Sequence, residues 1–209
     1  MKKKALATEK SKKKYVTLRI NHLNIYTTMK VYVFLAEGFE TIEALAPIDV
    51  FKRAQIDVKS VSITNAIEVT SSQGVRVKAD VLLKDTDLSD GDMIVIPGGN
   101  PGYVNLAESK AVGNVVKDYD KAGKYIAAIC GGPTVLLANK VGKGKVITCH
   151  RSVKEEMSDY KYTGKDIEKD GKLITAIGAG HSVDFALALL QLMVDKATID
   201  RVKAGLEVK

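Results

Sequence analysis

Two side chains hold most of the chemical potential of this chain: a cysteine set among glycines and a glutamate set among apolar residues. Cys130 lies in Tyr125-Ile126-Ala127-Ala128-Ile129-Cys130-Gly131-Gly132-Pro133-Thr134-Val135-Leu136-Leu137-Ala138. The run ending at Ile129 has the length and β-branched content of a buried strand. Gly131 and Gly132 permit a turn that other residues resist. Pro133 suits a first helical position, where its missing N–H is no loss. Cys130 is thereby expected at a strand-to-helix corner, like the nucleophile of an elbow motif. There the unpaired N–H groups and positive end of the helix favour a thiolate. On a strand alone such a cysteine would read as a core residue; the Cys-Gly-Gly-Pro corner favours a reactive one.

Glu43 shares a helical face with Ala46, Pro47, Val50 and Ala54. A carboxylate on so apolar a stripe is costly unless protonated or partnered. A neutral carboxyl beside a thiolate can donate a hydrogen bond to sulfur and then shuttle a proton. Glu40, in contrast, fits the ordinary preference of acids for a helix N-terminus, and Asp49 with Arg53 reads as a surface i,i+4 pair. The Pro97-Gly98-Gly99-Asn100-Pro101-Gly102 turn offers unencumbered backbone donors. The N–H groups of Gly99 and Gly131 are expected to form an oxyanion hole.

Three further residues carry reactive groups. His150 is a candidate to complete the site. Cys149 precedes it, so on a strand the two point to opposite faces and form no dyad. His181 opens a helix and either lines the same pocket or belongs simply to the helix start. A zinc site from Cys130, Cys149, His150 and His181 is conceivable, but no metal-binding spacing supports it, and no metal or cofactor is expected. A Walker loop and a glycine-rich dinucleotide fingerprint are also absent from the sequence.

These residues need a scaffold, and the pattern from Val31 onward alternates strand and helix. Strands are expected at 31–36, 57–63, 92–96, 125–129 and 146–148, with helices at about 40–54, 109–122, 133–140 and 181–194 and a short one at the end. Residues 67–83 read as a small antiparallel excursion on the sheet edge. Asp170-Gly171 reads as a hairpin turn between 167–169 and 173–176. Such alternation implies an α/β fold with a mostly parallel sheet covered by helices on both faces. Sites in open sheets of this type form beyond the carboxyl ends of the strands, where the 37–40, 97–102 and 130–132 loops fall.

Charge narrows the function further. The chain has 209 residues and a net charge of +7. Of 32 basic and 25 acidic residues, eight and one lie in 1–28, which leaves 24 of each in 29–209. A single domain over 29–209 is therefore neutral and lacks the electrostatic footprint for nucleic acid. Residues 1–28 read as a basic extension, a flexible arm or the product of a start site upstream of Met29 in preference to an organellar presequence, since Lys and not Arg dominates. Two cysteines form no disulfide framework, so a cytoplasmic location is expected. No stretch has the length of a membrane span.

Taken together, Ala36-Glu37-Gly38-Phe39-Glu40-Thr41-Ile42-Glu43 with Pro47-Ile48-Asp49-Val50, Ile96 to Gly102, Ala127 to Pro133 with Leu136-Leu137-Ala138, Thr148-Cys149-His150 and Gly178-Ala179-Gly180 resemble the ThiJ/PfpI superfamily on its DJ-1-like branch. The likeness spans about residues 30–206. It implies a flavodoxin-like three-layer sandwich, usually a homodimer with its first helix in the interface, which suits the apolar helix 40–54. It further implies that Cys130 is an easily oxidised nucleophile, Glu43 its protonated partner, Gly99 and Gly131 the oxyanion-binding backbone and His150 the pocket histidine. The implied activities are a glutathione-independent glyoxalase or deglycase acting on 2-oxoaldehydes such as methylglyoxal, chaperone action, and oxidative-stress sensing. In the alternative reading Cys130 is a redox sensor oxidised without turnover, and in a third the protein is a structural dimer with a vestigial site. Members with peptidase-like chemistry carry His directly after the nucleophile. Gly131 stands there in this chain and argues against a peptidase. Arg151 stands where close relatives often have Pro.

Overall fold

The computed structural model describes residues 29–208, so the reading of 1–28 as a basic extension falls outside it. Eleven strands and six helices follow one another in these residues: β1 (Lys30–Leu35), α1 (Thr41–Arg53), β2 (Asp57–Ser62), β3 (Glu68–Thr70), β4 (Arg76–Lys78), β5 (Val81–Leu82), β6 (Met93–Ile96), α2 (Gly102–Glu108), α3 (Lys110–Lys121), β7 (Tyr125–Ile129), α4 (Thr134–Ala138), β8 (Val146–Ile147), β9 (Lys161–Tyr162), β10 (Ile167–Asp170), β11 (Leu173–Ala176), α5 (Ser182–Leu190) and α6 (Lys196–Gly205). The main sheet has the order β10-β11-β7-β6-β1-β2-β5. Every neighbouring pair in it is parallel except β10 and β11.

Side-chain alternation builds the layers. Val31, Val33 and Leu35 of β1 point into a core shared with α1, α5 and α6. Tyr32 and Phe34 point into a second core shared with α2, α3 and α4. The apolar strands are therefore buried on both faces, as parallel sheets with helices on each side require. This is the α/β flavodoxin-like sandwich that the motifs implied. The chain leaves β1 toward β2 on one side, while β6 leads to β7 on the other. Ligand sites in such sheets sit at this switch point, outside the carboxyl ends of the two strands.

Two expectations need correction. The 67–83 region does not extend the sheet edge as an antiparallel excursion. Instead β3 and β4 form their own two-stranded sheet, and β5 alone joins the main sheet, parallel to β2. The hairpin lies against the loop after β1: Gly38 N–H donates to Thr70 O at 2.8 Å and Ser72 N–H to Phe39 O at 2.8 Å. Burial of Val69 in the core beneath α1 favours this position over the edge. Secondly, the 146–148 strand is outside the main sheet and pairs with β9. The hairpin between β10 and β11 is as expected, but its turn is Gly171-Lys172, with Gly171 at φ 66°, because Asp170 pairs with Leu173.

Candidate active site

Three loops converge where β1, β6 and β7 end. The first is stitched to the second by backbone bonds, with Glu40 N–H donating to Gly98 O at 3.0 Å and Gly102 N–H to Gly38 O at 3.1 Å. A side chain on Gly99, at φ 90°, would collide with the backbone of Gly38, Phe39 and Glu40. Glycine is therefore needed here both for the torsion and for the close approach. The third loop is the elbow. Cys130 has φ 62°, a left-handed conformation unusual for a non-glycine residue. Strand alternation would place residue 130 on the α2–α4 side, whereas this torsion sets it against the core beneath α1. Cys130 N–H donates to Ala176 O at 3.0 Å, and its carbonyl accepts from His150 N–H at 2.9 Å, which ties the strained corner down on both sides.

Glu43 meets the sulfur from α1. The helix starts where the Glu40 carboxylate accepts the Glu43 N–H at 2.8 Å, a cap that satisfies an otherwise orphaned donor. Glu43 has an exposure of 0%. Its Oε2 accepts the Gly98 N–H at 2.8 Å, while its Oε1 is buried without a hydrogen-bond partner. A Cβ built on Gly98 would lie 2.8 Å from Glu43 Oε2, 2.9 Å from Cys130 Cβ and 2.9 Å from Gly131 N. Acid, thiol and backbone donor therefore crowd around one α-carbon.

The charges in this group are coupled. Burial drives the Glu43 carboxyl up to about 7, partly offset by the Gly98 N–H and the nearby Cys130 thiol. Burial and the Glu43 carboxylate push the Cys130 thiol up to about 12, opposed by the N–H groups of Gly131 and Gly99. Two anions in this buried space repel, so the pair does not give up both protons near neutrality. A thiolate is favoured when Glu43 keeps its proton, since the carboxylate's repulsion is then gone and the Gly131 and Gly99 N–H groups oppose the effect of burial.

The remaining candidates separate. His150 is half-buried, and its Nδ1 lies 2.8 Å from Ser152 Oγ and accepts the Ser152 N–H at 3.2 Å. That places its proton on Nε2. A Cβ on Gly178 would touch its Cδ2 at 3.6 Å, so the ring stands beside the Gly178–Gly180 loop. His181 Nε2 is 3.6 Å from Asp166. Cys149 is fully buried in the opposite core, where burial raises its thiol to about 11. Among the described residues no three metal-ligating side chains cluster, and no helix is long and apolar enough to cross a membrane. Asp49 and Arg53 form their exposed pair at 2.9 Å. Two further contributors are Gly98, the donor to Glu43, and Tyr103, whose ring covers Gly131. The doubled glycine after β6 was a partial signal for the first; nothing signalled the second.

Comparison with known proteins agrees with this architecture. The profile of the DJ-1/PfpI family matches residues 29–192. Parkinson disease protein 7 homolog from Danio rerio is 37% identical over 184 residues, covering 86% of this chain and 97% of the relative. A Caenorhabditis elegans protein named glutathione-independent glyoxalase DJR-1.2 is 37% identical over 159 residues, covering 75% and 84%. The crystal structure of Drosophila melanogaster DJ-1beta superposes with a TM-score of 0.84 at 33% identity, covering 88% of this chain and 100% of that one. The chain belongs to the DJ-1/PfpI family.

Proposed function

We propose that the protein is a cofactor-independent glyoxalase that converts small 2-oxoaldehydes such as methylglyoxal to hydroxy acids through Cys130. The convergence of Cys130, the buried Glu43 carboxyl and the Gly99 and Gly131 N–H groups carries this reading. The glyoxalase named in Caenorhabditis elegans adds support from a relative.

In this reading the sulfur adds to the aldehyde carbon, and the proton held by Glu43 goes to the aldehyde oxygen, giving a hemithioacetal. The Glu43 carboxylate then removes the hydrogen from that carbon and delivers it to the neighbouring ketone oxygen, forming an enediol. It next takes the proton of the first hydroxyl and returns it to the second carbon, which leaves a lactoyl thioester on Cys130. Water cleaves the thioester, releasing lactate and the sulfur. One carbon is oxidised and its neighbour reduced, so no external redox partner is needed. The two N–H groups hold the oxyanions that develop on the way, and His150 orients the substrate through Nε2–H.

Lactate release from methylglyoxal by the purified protein tests the reading. Turnover lost in Cys130→Ala and in Glu43→Gln is expected, and turnover unchanged in Cys130→Ala overturns it. No lactate, together with selective Cys130 oxidation by mild peroxide seen in intact mass, favours the redox sensor instead. Two copies are further proposed to pair through α1, whose Ile42 is 50% exposed beside half-buried Leu45 and Ile48. Light scattering on Ile42→Asp, with monomer as the expected outcome, checks that pairing.

A further inference from the structure

Tyr103 opens α2 and touches both arms of the anion hole. Its N–H donates to Gly99 O at 2.8 Å, which holds one donor residue from its C-terminal side. Its half-buried ring lies against the other. A Cβ built on Gly131 would fall 2.5 Å from Cδ1, 2.7 Å from Cγ and 3.0 Å from Cε1 of that ring. These three atoms form one ring edge, so the edge rests directly on the Gly131 α-carbon. Gly131 has no left-handed torsion of its own to demand glycine. The ring alone excludes a side chain there.

Further constraints act on the same residue. Gly131 O accepts the Thr134 hydroxyl at 2.8 Å and the Thr134 N–H at 3.1 Å. The peptide that carries the Gly131 N–H is held through its own carbonyl, Cys130 O, by the His150 N–H at 2.9 Å, while α4 holds the next peptide and an aromatic ring packs on the α-carbon between them. Fixed donors of this kind hold an anion without reorganising, which is how such holes work.

We propose that Tyr103 is a positioning residue that clamps the Gly131 donor and so sets how strongly negative charge is held at Cys130. The ring carries this role through its shape, because it occupies the space that a side chain at residue 131 would need. The inference rests on the reading of Gly99 and Gly131 as the donors of the reactive site.

The test is the pH–rate profile for alkylation of Cys130 by iodoacetamide, read by intact mass on the full chain, with melting followed by circular dichroism. Tyr103→Ala is expected to slow alkylation about tenfold at pH 8 and to displace the profile upward by about one unit, the effect of loosening one hydrogen bond to a charged group. Tyr103→Phe keeps the ring and is expected to match the wild type. Gly131→Ala alone is expected to impair alkylation, and adding Tyr103→Ala to bring the rate back to about that of Tyr103→Ala alone, since removal of the ring leaves room for the new methyl. An unmoved profile in Tyr103→Ala overturns the proposal, as does Tyr103→Phe behaving like Tyr103→Ala or a double variant as poor as the two single losses together. If Gly131→Ala alone does not fold, the Tyr103→Ala and Tyr103→Phe pair decides. Alkylation needs no substrate, so a protein that follows these profiles but makes no lactate refutes the glyoxalase and keeps the role of Tyr103. Lactate formed with an unmoved profile does the reverse.

Discussion

Replacing Glu43 by glutamine removes one buried titration while keeping the side chain's shape and its acceptor for the Gly98 N–H. In the folded protein the carboxyl sits at about 7 against an ordinary 4.5, chiefly because burial penalises its charge. The folded state therefore binds more protons than the unfolded one between these values. Stability accordingly falls as pH rises through that window and levels off above it. The full shift corresponds to roughly 3 kcal/mol, of which about 2–3 kcal/mol falls between pH 5 and pH 8. Glutamine cannot ionise and escapes this loss. Since 1 kcal/mol moves the Tm of a domain of this size by about 2–4 °C, the Tm of Glu43→Gln relative to wild type should rise by roughly 5–10 °C between the two pH values. The chain has no tryptophan, so far-UV circular dichroism is the suitable probe. The same Tm difference at pH 5 and pH 8 would refute the picture of a buried acid held neutral.

Other outcomes follow from the same geometry. Gly98→Ala forces a methyl to within 2.8 Å of Glu43 Oε2 and 2.9 Å of Cys130 Cβ; glyoxal turnover should fall at least tenfold, with a lowered Tm from overpacking of about 1–3 kcal/mol. Iodoacetamide should modify one cysteine in the native protein, Cys130, and both in denaturant, because Cys149 has an exposure of 0%; peptide mapping reads this directly. Phe185→Ala empties a fully buried site in the core beneath α1 and should cost about 3–5 kcal/mol in urea denaturation.

Much of the architecture was visible in the chain because both faces of its strands are covered. The runs at 31–35, 93–96 and 125–129 are continuously apolar, and such runs announce buried parallel strands. Cys130 was legible for a local reason, since its corner is built from neighbours in sequence. Glu43 was legible because a carboxylate on an apolar stripe needs a partner. What escaped notice depends on distant contacts. The 68–78 hairpin has the alternation of any antiparallel pair, and only tertiary packing against Phe39 and Thr41 decides where it docks. The pairing of β8 with β9 is similar, as each strand has two residues and no pattern to read. Tyr103 was silent because its partner, Gly131, is distant in sequence, and a glycine after a nucleophile signals a turn before it signals a missing side chain. The coupling of Glu43 to Cys130 also exceeds what spacing can tell. Proximity was foreseeable, whereas the mutual shift of their titrations follows from their common burial.

The most direct test of the account is lactate formation from methylglyoxal by Glu43→Gln at a pH where alkylation shows its Cys130 to be ionised. Loss of the carboxylate removes a cause that pushes the thiol up, so the variant's sulfur should alkylate faster than the wild type's. Turnover should nevertheless fall by at least 100-fold, because the proton carrier is gone. A variant that alkylates readily and still makes lactate within a few-fold of wild type would contradict the assignment of Glu43 as the group that moves the proton.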